Sequence, residues 1–356
     1  MSEIRCRIEG RAGRITLNRP AALNALTHSM LSTIERAIDS WRDDDDVDLV
    51  VIDAEGERAF CAGGDIQRMY DTAILGDYEY GRRFWRDEYR LNAKIFSFPK
   101  PWAAFMQGFT MGGGVGVSCH GSHRVVCDSS TIAMPECGIG LVPDVGGSLL
   151  LSRALGRLGE YLGTTGFRMG PADAIHAGFA DYYIPQRSWP EIIAELAGTG
   201  DWTLIDRHAQ SPPESPDGTG PSLISVQDRV DRHFGGETIG DILRSMDHAP
   251  SDFTAATRKM FLRNSPLSMA CTVEIVHRVR ESDTIFRALE EESRFTFRSA
   301  RDGDFIEGIR AAVIDRDRNP KWRHSGLDSV SGLDVTRMLM PLGDDGLKLD
   351  REALAP

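Results

Sequence analysis

The chain has 356 residues, 41% hydrophobic and 26% charged, enough to bury a large core and to hold two domains. Its net charge of −12 excludes general nucleic-acid affinity, which needs a basic surface. No apolar run reaches membrane-spanning length and the start, MSEIRCRIEG, matches neither a signal nor a transit peptide, so the expected compartment is the cytoplasm.

Residues 4–9 and 13–18 alternate around Gly10-Arg11-Ala12 and predict a β-hairpin, stopped by Asn18-Arg19-Pro20. Leu23, Leu26, Met30, Ile34, Ile38 and Trp41 recur at helical spacing. The acidic run Asp43 to Asp46 reads as a solvated turn, because a calcium loop needs alternating ligands that are absent. Leu49 to Ile52 predict a buried strand, leading into AFCAGGDI (59–66), with a helix beginning near Asp65, whose carboxylate suits a first turn. Residues 81–96 predict a helix ended by Pro99 and Pro101, and Trp102 to Met106 form an apolar run. Further helices are expected near 148–155, 157–164, 171–177 and 188–198, with a short strand at 181–184.

Residues 209–221 (AQSPPESPDGTGP) are the clearest linker, and beyond them 222–235, 250–262, 266–280 and 283–300 all predict helices. The expected domains are an α/β core over 1–205, a linker over 206–221, a helical region over 222–323 and a polar, partly mobile tail over 324–356. The six cysteines lack metal-ligand spacing and read as buried free thiols of a reduced compartment. His28, His120 and His123 have no partner at ligand spacing, so no metal site is expected.

Chemistry concentrates in two glycine-rich stretches. CAGGD (61–65) joins a strand to a helix start, so the Gly64 N–H can point at a ligand oxygen; a tight turn with a capping Asp65 explains it equally. MGGGVGVS (111–118) offers an N–H near Gly113, or simply a packed helix start; it has neither P-loop nor dinucleotide-fingerprint order. Glu136 and Asp144 follow on a segment broken by Pro143 and several glycines. Eight residues on an unbroken helix would part them by roughly 12 Å. A folded-back chain brings them closer, as an acid/base pair or as two helix caps. Glu88 in RDEYRLN is either a salt-bridged helix residue or a pocket carboxylate. No G-x-S-x-G elbow occurs.

Taken together and in order, these motifs resemble the crotonase (enoyl-CoA hydratase/isomerase) superfamily, most closely its 3-hydroxyisobutyryl-CoA hydrolase branch. The resemblance runs from about residue 12 to 322, through ITLNRPAALNAL (15–26), AFCAGGDI, RDEYRLN (86–92), GFTMGGGVGVS (108–118), MPECGIGLVPDVGG (134–147), TGFRMG (165–170) and DGDFIEGIRAAVIDRDRNPKW (302–322). It implies an α/β crotonase-like fold: ββα units spiralling into two roughly perpendicular sheets, with a helical C-terminal region. It implies an acyl-CoA whose thioester oxygen lies between the N–H groups of Gly64 and Gly113. It further implies substrate contacts at Ala62, Asp65, Ile66, Glu88 and Gly112, and a homo-oligomer, trimer or hexamer. Hydratases of the superfamily carry two glutamates; here the first position is Gly116, while Glu136 is kept and Asp144 is added. The resemblance therefore implies thioester hydrolysis by Glu136 and Asp144, with no cofactor or metal. Enoyl-CoA hydration or isomerisation by Glu136 alone is the alternative, and a non-catalytic acyl-CoA-binding protein a third reading. Arg58 is a candidate for the CoA phosphates.

Overall fold

The computed structural model describes residues 2–213 and 222–349. Two strands, β1 (Ile4–Glu9) and β2 (Ala12–Leu17), form the expected antiparallel hairpin, with Ile4 opposite Leu17. Helix α1 (His28–Trp41) starts later than the apolar spacing predicts. Leu23 and Asn24 occupy left-handed backbone (φ 51° and 55°), which a helix cannot include, and the Thr27 hydroxyl accepts from the Met30 N–H as N-cap.

From here the chain alternates between two sheets. Strands β3 (Leu49–Ala54) and β4 (Ala59–Cys61) precede helices α2 (Gln67–Ala73) and α3 (Glu79–Phe96). Next come β5 (Trp102–Met106), β6 (Phe109–Met111) and helix α4 (Gly113–Ser118). Then follow β7 (His123–Val126), β8 (Thr131–Ala133) and, after a 3-10 turn over Glu136–Ile139, helix α5 (Gly147–Arg153). With β9 (Tyr182–Tyr183), the large sheet has the order β1-β2-β3-β5-β7-β9, and the small one β4-β6-β8. Apart from the hairpin, the pairings between these strands are all parallel. One strand of each successive β-β unit goes to each sheet, which is the spiral of ββα units expected of the fold.

The strands of the large sheet divide their side chains by parity. Leu49, Val51, Ala103, Phe105 and Val125 pack on one side against the Trp189–Thr199 helix, with the Phe105 and Trp189 rings 5.3 Å apart. Val50, Ile52, Ala104, Met106 and Val126 face the main core.

That core continues from Ile4 through Leu289 and Phe305 to Leu339. The Pro266–Ser282 helix packs on α5, and the Ile285–Asp302 helix on α3. The composition break near 205–220 therefore does not divide the buried core; residues 214–221 of the linker lie outside the described residues. The tail differs from its polar reading. Helix Gly332–Leu339 is capped by Ser331 and buries Met338 and Leu339, two apolar positions too few to register against the surrounding charge. Residues 350–356 lie outside the described residues.

Candidate active site

Two loops meet over the small sheet. The buried Asn24 amide donates to Ala59 O (2.9 Å) and Glu55 O (3.0 Å). Main-chain bonds Leu26 N to Gly63 O, Asp65 N to Leu26 O and Ala62 N to Leu23 O then fasten residues 62–65 to 23–26. The LNRPAALNAL stretch is thus a brace for CAGGD. Gly63 (φ 111°) and Gly112 (φ 49°, ψ −122°) hold backbone that side chains disfavour.

The braces set two amides side by side: a Cβ placed on Gly113 would stand 3.4 Å from the Gly64 nitrogen. Neither amide donates to a main-chain carbonyl among the described residues. The same Cβ would lie 2.7 Å from Glu88 Oε1, and one on Gly112 would lie 3.0 Å from Glu136 Oε1. The bare backbone at 112–113 is the space these two carboxyl groups use.

A cleft of about 250 Å³ opens here, lined by Ala62, Gly64, Ile66, Gly112 and Gly113 and by the three acids Glu88, Glu136 and Asp144. Gly140, with φ 74°, and a bond from Leu141 N to Glu136 O fold the chain back, so Glu136 and Asp144 share one cavity rather than separate caps. They are 5% and 4% exposed, and Glu88 3%. Oε1 of Glu88 and Oε2 of Glu136 are buried without a hydrogen-bond partner among the described residues.

Burial, then the nearby Asp144 charge, pushes both glutamates well above the ordinary carboxyl range. Asp144 is raised by burial to about 7, opposed by the Tyr89 hydroxyl, which donates to Oδ2 at 2.9 Å. Buried acids shifted upward in this way, facing a cavity and free of any cationic partner among the described residues, are the signature of a site rather than of structural ion pairs.

Asp65 stands apart from the rest. Its carboxylate pairs with Arg19 at 3.1 Å instead of lining the cleft, and α2 begins two residues later without a side-chain cap. Arg58 is exposed and reaches Pro20 O at 3.4 Å.

Sequence reasoning missed the groups that hold Asp144. Glu292 is fully buried and accepts from Gly146 N (2.8 Å), Ser148 N (3.0 Å) and the Ser148 hydroxyl. Burial raises its carboxyl to about 8, against the pull of those donors. His120, held neutral by burial at about 4, donates from Nε2 to Val145 O at 2.7 Å. Val145 itself sits at φ 55°, a position a branched side chain holds only when its surroundings enforce it. Nothing in spacing links Glu292 or His120 to residue 144; only the run of buried polar atoms does. Among the described residues no cluster of three or more His, Cys, Asp or Glu is placed to hold a metal ion.

Alternating sheets with a glycine-walled, acid-lined cleft between them define the enoyl-CoA hydratase/isomerase family. That family's model matches residues 12–339, and the chain belongs to it. Among characterised relatives it is similar to the mitochondrial 3-hydroxyisobutyryl-CoA hydrolases of Gallus gallus (35% identity, 96% of this chain and 89% of the relative) and Rattus norvegicus (36%, 98% and 91%). Among solved structures it is similar to an enoyl-CoA hydratase from Rhodobacter sphaeroides 2.4.1 (50% identity, TM-score 0.92, 98% of this chain and 100% of that one). Another is a carnitinyl-CoA dehydratase from Mycobacterium thermoresistibile (38%, TM-score 0.91, 98% and 99%).

Proposed function

We propose that the protein hydrolyses 3-hydroxyisobutyryl-CoA to 3-hydroxyisobutyrate and free CoA. The observation that carries this is the single cleft shared by Glu136, Asp144 and the amides of Gly64 and Gly113. The two amides receive the thioester oxygen as it gains charge, a stabilisation that needs little reorganisation. Glu136, once deprotonated, either attacks the carbonyl to give a mixed anhydride or takes a proton from the attacking water. CoA leaves as the thiol, and the acid's second oxygen comes from water, either directly or by way of the Glu136 carboxylate, which water's oxygen then replenishes. Asp144 orients the water or the substrate hydroxyl, and Glu88 receives that hydroxyl with its unpartnered oxygen. The thioester is already activated, so the reaction as proposed calls for no cofactor or metal.

Hydration is the second reading, favoured by the name of the Rhodobacter structure. Against it stands Gly116 at the position of the hydratase's first glutamate. A Cβ there would already meet Asn92 Nδ2 at 2.7 Å and Val145 Cβ at 2.8 Å. Thiol titration after incubation with 3-hydroxyisobutyryl-CoA and with crotonyl-CoA decides: free CoA appears only under hydrolysis. Glu136→Gln is expected to lower turnover at least 100-fold; near-normal CoA release from that variant would end the assignment. In single-turnover labelled water, label enters the Glu136 carboxylate only by the anhydride route.

No helix among the described residues is long and apolar enough to cross a membrane. The relatives' names say mitochondrial, which lends the cytoplasmic expectation no support, and cell fractionation would place the chain. A trimer or a dimer of trimers is proposed by family likeness, to be checked by light scattering.

A further inference from the structure

The hydrolase reading fixes which way the acyl group points, and one end of the cleft then acquires a role. With the thioester oxygen at Gly64 and Gly113 and the substrate hydroxyl at Glu88, the acyl tail runs along α3 toward Trp85, one turn before Glu88. There the cleft is closed by Met69, Trp85 and Phe305, which are 4%, 6% and 1% exposed. The Trp85 and Phe305 rings sit 5.4 Å apart, tilted by 49°.

The same three residues line a second, narrow crevice of about 10 Å³ on their far side. That crevice runs between α2, α3 and the Ile285–Asp302 helix, past Asp77 and Tyr78, which are exposed or half-buried. The three side chains are therefore a partition between the acyl end of the site and a way out to solvent.

We propose that Met69, Trp85 and Phe305 set the acyl-length limit, confining the enzyme to short acyl-CoA substrates. Phe305 comes from the C-terminal region, so this limit is contributed by a different part of the chain from the carboxylates and glycines. The inference rests on the hydrolase reading only for the direction of the acyl group.

The test measures two quantities on the intact protein and on Phe305→Ala. Calorimetric binding of butanoyl-CoA and octanoyl-CoA reads the partition without turnover, and thiol release from 3-hydroxyisobutyryl-CoA and 3-hydroxyoctanoyl-CoA reads hydrolysis. The intact protein is expected to prefer the short chain at least 100-fold, and Phe305→Ala to narrow that preference at least tenfold. If Phe305→Ala does not fold, judged by circular dichroism, Met69→Ala opens the same partition from α2 and is expected to do likewise. An intact protein that binds both chains equally overturns the proposal. So does a folded variant with unchanged preference. Absence of CoA release by the intact protein, with its binding preference for the short chain present and narrowed in the variant, strikes the hydrolase reading and leaves the partition standing.

Discussion

Asp144 keeps its proton in the fold up to about 7, because burial disfavours its charge. An unfolded aspartate loses it near 4. Between these values the folded chain binds a proton that the unfolded chain has lost, so this residue's contribution to stability falls as pH rises through that window. Asp144→Asn removes the effect while keeping an acceptor for the Tyr89 hydroxyl. The variant is expected to gain on the order of 2–4 kcal/mol at pH 8, fading toward nothing near pH 4, by urea unfolding at both values. A variant equally displaced at both pH values would contradict the raised aspartate. The same substitution removes the charge that helps keep Glu136 protonated, so the acid limb of its residual kcat/KM should move to lower pH. Tyr89→Phe acts in the opposite sense on Asp144: without the donor its carboxyl rises further, and any acid limb it governs moves to higher pH.

At the scale of elements, the segment 144–148 is held from three sides, by Tyr89 on α3, His120 after α4 and Glu292 on the Ile285–Asp302 helix. Glu292→Gln replaces an acceptor oxygen by an NH₂ group facing backbone donors. It is expected to lower kcat about 10- to 100-fold with KM changed much less, since loose placement of a reacting group penalises the chemical step. An unchanged kcat in a folded variant would show that the segment holds its shape unaided. Gly116→Ala puts a methyl group against Val145 and Asn92 and should destabilise by about 1–3 kcal/mol, measured by thermal unfolding. For the same reason Gly116→Glu alone should not create hydratase activity. The hairpin, the long helices and the glycine-bounded acids were legible because their signals are local: alternation, 3.6-residue spacing, a proline or glycine at the end. Strands β6 and β8, three residues each, carry no such period, and the Ile239–His248 helix passed unread between two that were seen. A carboxylate at a helix start reads locally as a cap, yet Asp65 caps nothing; its partner, Arg19, is 46 residues away, beyond the reach of local spacing. Glu292 was invisible for a stronger version of that reason, being 144 residues from the Ser148 it holds.

On the scale of the whole molecule, the catalytic half and the helical half share one buried core. The core runs from Ile4 to Leu339 without a break, and both Glu292 and Phe305 reach the cleft or its supports from beyond residue 222. The last described helix closes this core. Arg298 donates to Met338 O (3.0 Å) and Met340 O (2.8 Å), while Leu339 is 1% exposed against the helix that carries Glu292. Leu339→Ala should therefore reduce stability by about 2–5 kcal/mol, as for other large-to-small changes in a filled core. A fragment of residues 1–205 loses far more, because the faces of α3 and α5 that the C-terminal helices cover would be left open to water. That fragment is expected to show no cooperative thermal transition and no CoA release from 3-hydroxyisobutyryl-CoA. A soluble fragment that melted sharply and released CoA would mean that the C-terminal helices are an addition to the site rather than part of its construction.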